Sequence, residues 1–357
     1  MNALLTAADE ETALERLHEL GCTDGLPVVV PTPARVERMC LATGLDGDLV
    51  LGTMGPGGGV ASVHQIAIAA VMAGCLSDYM PVVLGAAEAV LDARFDLTEM
   101  QSTTHCTAPL IIVNGPARQT CGPIASGFGA LGPGHRANAS IGRALRLAMI
   151  NIGGARPGTS DMALLGHPGK FTYCLAEDEE HSPLPPLHVS LGFEADDSVV
   201  TVIGAEAPHS VIYSASGDPA IDSACLLNAL AAGLAGLASN NAILTGGSAV
   251  VVLNPDHAQI LVAAGLDRAA IQAGLFERCA YSLAELRTVA GSFAREGEDT
   301  KRRNCFRTPN DILVLMAGGS GLYSMVMPSW CAGPHHNTAV SVRVTTDLFC
   351  ELPAATG

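Results

Sequence analysis

The sequence predicts an α/β fold: a mixed sheet with flanking helices, in an order of elements that allows two similar α/β halves. Strand-length apolar runs such as "APLIIVNGP", "SVVTVIGAE" and "DILVLM" alternate with longer segments of helical period. Clusters of Gly, Pro and Asn separate them, as the turns between packed elements require. The order glycine loop, Ala-rich helix, strand, helix occurs around residues 57–93 and again around 217–265.

Residues 1–22 read as an acidic, solvated helix with Leu14, Leu17 and Leu20 on one side. Residues 23–180 form the first α/β half. It opens with an Asp-Gly turn, a short strand and a proline-capped helix beginning near Thr32. A glycine-rich loop then runs into a buried helix, and "APLIIVNGP" follows as a strand ending in turn chemistry at Asn114. "HRANASIGRALRLAMINIGGA" is the clearest helix, with Ile141, Leu145, Ala148 and Ile152 at helical spacing and a Gly-Gly stop. Near 166–169, Gly and Pro make a tight bend. Strand alternation beyond it would place Lys170, Thr172 and Cys174 on one face. Acids and prolines cluster over 181–196, which reads as a linker or loop, and 197–357 forms the second half. There a strand, a buried Ala-rich helix, a strand leading through an Asn-Pro turn into a helix, and a strand–glycine loop–strand unit follow in order.

Composition narrows the function. A net charge of −16 disfavours nucleic acid, whose phosphates need a basic face. No charged residue falls between Asp222 and Asp256, but Asn, Gly and Pro interrupt that run, so no membrane span is expected. The acidic, amphipathic start is unlike a signal peptide, and a cytoplasmic location is expected. Eleven cysteines without a CxxC pair are expected to be reduced and mostly buried. Low charge, a mean hydropathy of +0.33 and the small-residue helices predict a symmetric homo-oligomer.

Several residue groups suit chemistry. Gly127-x-Gly129-x-x-Gly132 has dinucleotide-fingerprint spacing, but no strand immediately precedes it and no strand with a terminal acid follows. It reads better as an anion cradle at a helix start, with His135, Arg136 and Asn138 in the first turn and Asn114 nearby as a further substrate-binding candidate. Arg143 and Arg146 continue the Arg136 stripe; they fit a substrate anion or paired acids equally. His105 and Cys106 precede a buried strand, where strand geometry would turn neighbours to opposite faces, so His167 is the candidate base for Cys106. Lys170 and Arg136 are the candidates to stabilise a thiolate on Cys106 or Cys174, though inert core is the ordinary role of any single cysteine. Within "EDEEH", an otherwise solvated acidic turn, Glu177 is the member placed near a site. Cys331, His335 and His336 offer an alternative transition-metal site, zinc for example, lacking an identified further ligand.

The segments "TDGLPVV", "TTH" followed by "APLIIVNGP", "RANASIGRALRL", "GGARPG" and "LGHPGKFTYCLAEDEE" with "PLHV" resemble a family of uncharacterised bacterial proteins associated with small partner proteins that carry a selenocysteine- or cysteine-containing UGSC motif. The resemblance runs from about Thr23 to Gly321 and implies a substrate-handling component of a thiol- or selenol-dependent system. Two departures stand out: Cys106 where the family pattern has Pro after "TTH", and a tail that becomes "LYSMVMPSWCAGPHH". They weaken Cys106 as a family-wide nucleophile and point to a specialised chemistry in this chain.

The expectation is thus a cytoplasmic enzyme acting on a small anionic metabolite by Cys/His chemistry, either carbon–heteroatom bond cleavage or thiol-dependent redox. In it His167 is acid or base, Lys170 holds negative charge, and Cys174, His105, Cys106 and Glu177 are further catalytic candidates. A metal-dependent hydrolase or lyase built on Cys331, His335 and His336 is one alternative. A non-catalytic binding subunit whose thiol or selenol partner protein does the chemistry is another.

Overall fold

A computed structural model describes residues 5–345; Cys350 lies outside them. The apolar runs pair into two four-stranded mixed sheets. The first has the order Val340–Arg343, Val199–Ala205, Ala108–Asn114, Cys174–Ala176, with the last junction parallel and the others antiparallel. In the second the order is Ile312–Met316, Ala249–Leu253, Tyr323–Pro328, His209–Ile212, with only the first junction parallel.

Side-chain alternation along these strands builds four layers. Ile111, Val113, Val200 and Val202 point toward the helices Val63–Ala73, Met80–Leu91 and Arg136–Asn151. Leu110, Ile112 and Ile203 point the opposite way and meet Val250, Val252, Leu313, Leu315 and Met327 of the second sheet. On that sheet's far face Val251, Leu253 and Val314 pack on the helices Pro219–Leu234, Pro255–Ala263 and Arg268–Arg278. A strand apolar on both faces is read from the sequence as a continuous hydrophobic run, which is why these strands were legible without a period-two pattern.

The α/β class with mixed sheets and flanking helices is what the sequence predicts. The chain path differs from its two-halves description, however. Val199–Ala205, on the far side of the 181–196 segment, is hydrogen-bonded along its whole length to Ala108–Asn114 in the first sheet. Val340–Arg343 also returns to that sheet. All seven residues of Val199–Ala205 are buried, so their backbone groups need strand partners, and the first sheet supplies them. The segment 181–196 therefore does not separate the two sheets.

Two local readings are corrected. The glycine-rich stretch near 55–59 is the turn of a hairpin, Val50–Met54 with Gly59–Ser62, ahead of the Val63–Ala73 helix. Strand structure after the 166–169 bend begins only at Cys174; Pro168–Lys170 is one turn of 3-10 helix, so Lys170 and Cys174 do not share a strand face. Part of the uncharged run after Asp222 lies in the core, with Leu226, Leu230, Leu234 and Ala249–Leu253 buried, while Cys225, Asn228 and Ala232 are exposed. No helix among the described residues is long and apolar enough to cross a membrane.

Candidate active site

A cleft of ≈ 600 Å³ opens between the Arg136–Asn151 helix, the loop 155–166 and the 3-10 turn after it. Its wall includes Asp161, Ala163, Leu165 and Gly166, and a second sequence stretch packs against that segment. Met162–Gly166 runs alongside Gln101–Cys106, and every second amide crosses over: Met162 N–H donates to the Gln101 carbonyl (3.0 Å) and Leu164 N–H to that of Thr104 (3.1 Å). The third, Gly166 N–H, meets a sulfur instead, donating to Cys106 Sγ at 3.2 Å. Cys106 is partly exposed. It is close enough to Lys170 for the sulfur to favour the charged ammonium.

His105 belongs to the same cluster. Residues 103–107 are irregular, the strand beginning only at Ala108, so strand alternation does not separate His105 from Cys106. The strand argument for their facing apart therefore does not apply here. Trp330 Nε1–H donates to Thr103 Oγ1 (2.8 Å), and the same oxygen accepts His105 N–H (3.3 Å), which ties the segment down. His105 Nε2 faces Glu206 Oε1 at 2.9 Å, while its Nδ1 is buried without a partner. Tyr173 O–H donates to the Glu206 carbonyl (2.8 Å), and Glu206 N–H to that of Pro328 (2.8 Å), fixing the acid beyond its strand end.

His167 caps the 3-10 turn. Its Nδ1 accepts Gly169 N–H (3.1 Å) and its ring stands edge-on to Tyr173 with centroids 5.8 Å apart. A side chain at 169 would run into both rings, the nearest atoms lying 2.6 and 2.8 Å from an added Cβ, so glycine is required there. Burial lowers the His167 pKa below the ordinary histidine value, and the Lys170 charge adds to that. The ring is thus neutral near pH 7, with its proton on Nε2 because Nδ1 is accepting.

Lys170 Nζ is 2.6 Å from Asp161 Oδ1, and Arg146 is 2.9 Å from Asp161 Oδ2. Burial lowers the Lys170 pKa, and Asp161 opposes it. Burial alone would raise the Asp161 carboxyl; the hydrogen bonds and charges of Lys170 and Arg146 outweigh it and hold it below the usual range. Arg156 also lines the cleft, its guanidinium donating to the Gly21 carbonyl. Asp24 in the cleft is taken by Arg143 through a two-pronged bond of 2.7 and 2.8 Å. Counting the lining groups and that partner, four cations (Arg143, Arg146, Arg156, Lys170) face two carboxylates (Asp24, Asp161).

Of the sequence candidates, the structure brings together His105, Cys106, His167 and Lys170. Cys174 is elsewhere: it is buried among helix-facing core residues and burial drives its thiol pKa far up. The residues expected to form an anion cradle bond carbonyls of the chain itself. Arg136 donates to the Gly74 carbonyl (3.0 and 3.3 Å) at the end of the Val63–Ala73 helix. Asn138 is buried, bonding both ways with Ala125 and donating to the carbonyls of Ala130 and Cys174. His135 Nε2 bonds the Phe128 carbonyl (3.2 Å). These contacts turn Asn138 wholly, and Arg136 and His135 in part, to the protein's own carbonyls.

Asn114 and Glu177 belong to a buried polar knot. Asn114 Nδ2 donates to Glu177 Oε2 (2.6 Å), Leu187 N–H to the same oxygen (2.7 Å), and Arg268 lies 3.2 Å from Oε1. Arg118 holds Glu179 and Glu180 at 3.1 and 2.8 Å. "EDEEH" is therefore not simply a solvated turn, because arginines distant in sequence come to it. Cys331 and His336 stand opposite each other in a two-stranded hairpin, but the Cys331 thiol is turned to Asn240 and pushed up to about 11 by burial, and His335 pairs with Asp96 at 2.8 Å. Among the described residues no group of three His, Cys, Asp or Glu side chains is arranged to hold a metal ion.

Sequence reasoning missed Asp161 and Glu206. Each lies in a loop, and only an acid at the end of the "TVIGAE" strand hinted at Glu206. Together these features define an α/β protein with a cationic cleft beside a thiol, two imidazoles and an ammonium. Comparison of the chain with protein-family models, curated proteins and solved structures found no match.

Proposed function

We propose that this chain is an enzyme that uses the Cys106 thiol on a small anionic substrate held in the cleft. The observation that carries the reading is the clustering of Cys106 with Lys170 and of His105 with His167, from stretches some sixty residues apart, beside a cationic cleft that His167 and Lys170 line in a strongly acidic chain. The Gly166 N–H and the Lys170 ammonium stabilise negative charge on sulfur. In a displacement at carbon, the thiol loses its proton, its electron pair forms the S–C bond, and the departing heteroatom leaves with the bonding pair toward Lys170.

Paired alkylation tests the anionic preference. Iodoacetate carries the charge the cleft favours and iodoacetamide does not, and the exposed Cys225 serves as reference within the same molecule. Relative to Cys225, Cys106 is expected to favour iodoacetate by several-fold, and less so as salt is added. An equal preference at the two cysteines overturns the anionic reading.

A further inference from the structure

We infer that a side chamber of the cleft binds a single halide ion of chloride size, held by Gln101, Thr107, Lys170 and Arg146; this goes beyond the reading of Cys106 and does not depend on it. The chamber measures ≈ 10 Å³ and lies between the Arg136–Asn151 helix, the start of the Ala108–Asn114 strand and the turn at Gly169 and Lys170. Arg146 and Lys170 line both it and the main cleft. That volume holds one particle of about the size of a water molecule, so sulfate, phosphate and carboxylates do not fit. Two of the lining residues keep unused hydrogen-bonding capacity. Gln101 Nε2 and Thr107 Oγ1 are buried without a partner, in side chains that are themselves buried. Buried polar atoms are rarely left so, and two on the lining of one cavity point to an occupant.

Donor chemistry and charge decide between an anion and a water. Gln101 Oε1 already accepts from Arg146 (3.2 Å), and Asp161, which holds Lys170 and Arg146 at 2.6 and 2.9 Å, is not part of the lining. The polar side chains of the lining thus offer an amide NH2, an ammonium, a guanidinium and a hydroxyl. A water would find one side-chain acceptor, the Thr107 hydroxyl, for its two protons, whereas a halide only accepts. Charge points the same way. Lys170 and Arg146 are two largely buried cations that share one carboxylate, which leaves one positive charge, and a single monovalent anion balances it.

Two measurements on the full chain test this, and neither needs a substrate. In crystals soaked in sodium bromide, data collected at the bromine absorption edge are expected to show an anomalous peak in the chamber beside Gln101 and Thr107. Water density there without an anomalous peak overturns the inference. In solution, replacing gluconate, which is too large for the chamber, by chloride at constant sodium and pH is expected to raise the unfolding temperature by about 2 °C at roughly 0.15 M, because an ion held only by the folded chain stabilises it. Gln101→Glu supplies the missing negative charge itself, and Thr107→Val removes the hydroxyl; each is expected to lose that rise. Equal unfolding temperatures of wild type in the two salts, or a rise kept in full by either variant, overturns the inference. A bromide peak without a chloride-dependent rise is binding at crystal concentration only and overturns it as well. Should both variants fail to fold, the wild-type bromide map decides.

Discussion

At Asp161 one carboxylate serves two cations, and each oxygen has its own partner. Lys170 and Arg146 are largely buried, so removing their shared counter-charge leaves two cations without compensation in a low-dielectric setting. Asp161→Asn is expected to cost about 3 kcal/mol or more in urea unfolding at pH 7. The sign of the pH effect follows from the depressed carboxyl. Its contribution is present above the unfolded value of about 4 and disappears as the pH falls through the lower folded value, so the variant should lack this part of the wild-type acid loss. A variant as stable as wild type at pH 7 would show that Lys170 and Arg146 do not depend on this acid.

The Arg136–Asn151 helix walls the cleft, and at Gly142 it packs closely against the segment that follows the 3-10 turn. A Cβ there would lie 2.5 Å from both Thr172 Oγ1 and the Tyr173 amide nitrogen, the second a backbone atom that cannot step aside. Helix propensity favours Ala over Gly by about 1 kcal/mol, yet packing decides here. Gly142→Ala is expected to destabilise by about 1–3 kcal/mol in urea, as overpacking does, and to slow Cys106 alkylation by displacing the turn that bears His167 and Lys170. A stabilised variant would contradict the close contact. The elements themselves were legible because capping and burial leave local signatures: Thr32 before Pro33, Asn254 before Pro255 and unbroken apolar runs in strands covered on both faces. Half the site was legible too, since His167 and Lys170 stand on a bend announced by Gly and Pro. What stayed hidden was partner choice. Nothing local to Asn138 says that its amide will pin a neighbouring loop, and nothing local to Asp161 or Glu206 says which distant cation or imidazole will reach it.

On the scale of the whole molecule, the two sheets are tied by chain crossings and by the buried knot around Glu177. Burial pushes the Glu177 carboxyl up to about 6 against the pull of Arg268, from an ordinary value of 4.5. A raised folded pKa means stability that is complete below about pH 4.5 and is lost as the pH rises through about 6, on the order of 2 kcal/mol. This runs opposite to the Asp161 effect. Thermal unfolding between pH 4.5 and 7 should show the fall in wild type and not in Glu177→Gln; parallel curves for the two proteins would place the titration elsewhere.

The central claim is that the environment of Cys106 makes it the reactive thiol, whatever the substrate. Limiting iodoacetamide at neutral pH, followed by site-resolved mass spectrometry of every cysteine-containing peptide, compares it directly with its neighbours in sequence and in space. Exposure alone predicts that Cys225 is labelled before the partly buried Cys106. The account predicts the reverse order, with Cys106 labelled first and buried Cys75, Cys174 and Cys279 last. Labelling that simply follows exposure, with Cys225 ahead of Cys106, would contradict it.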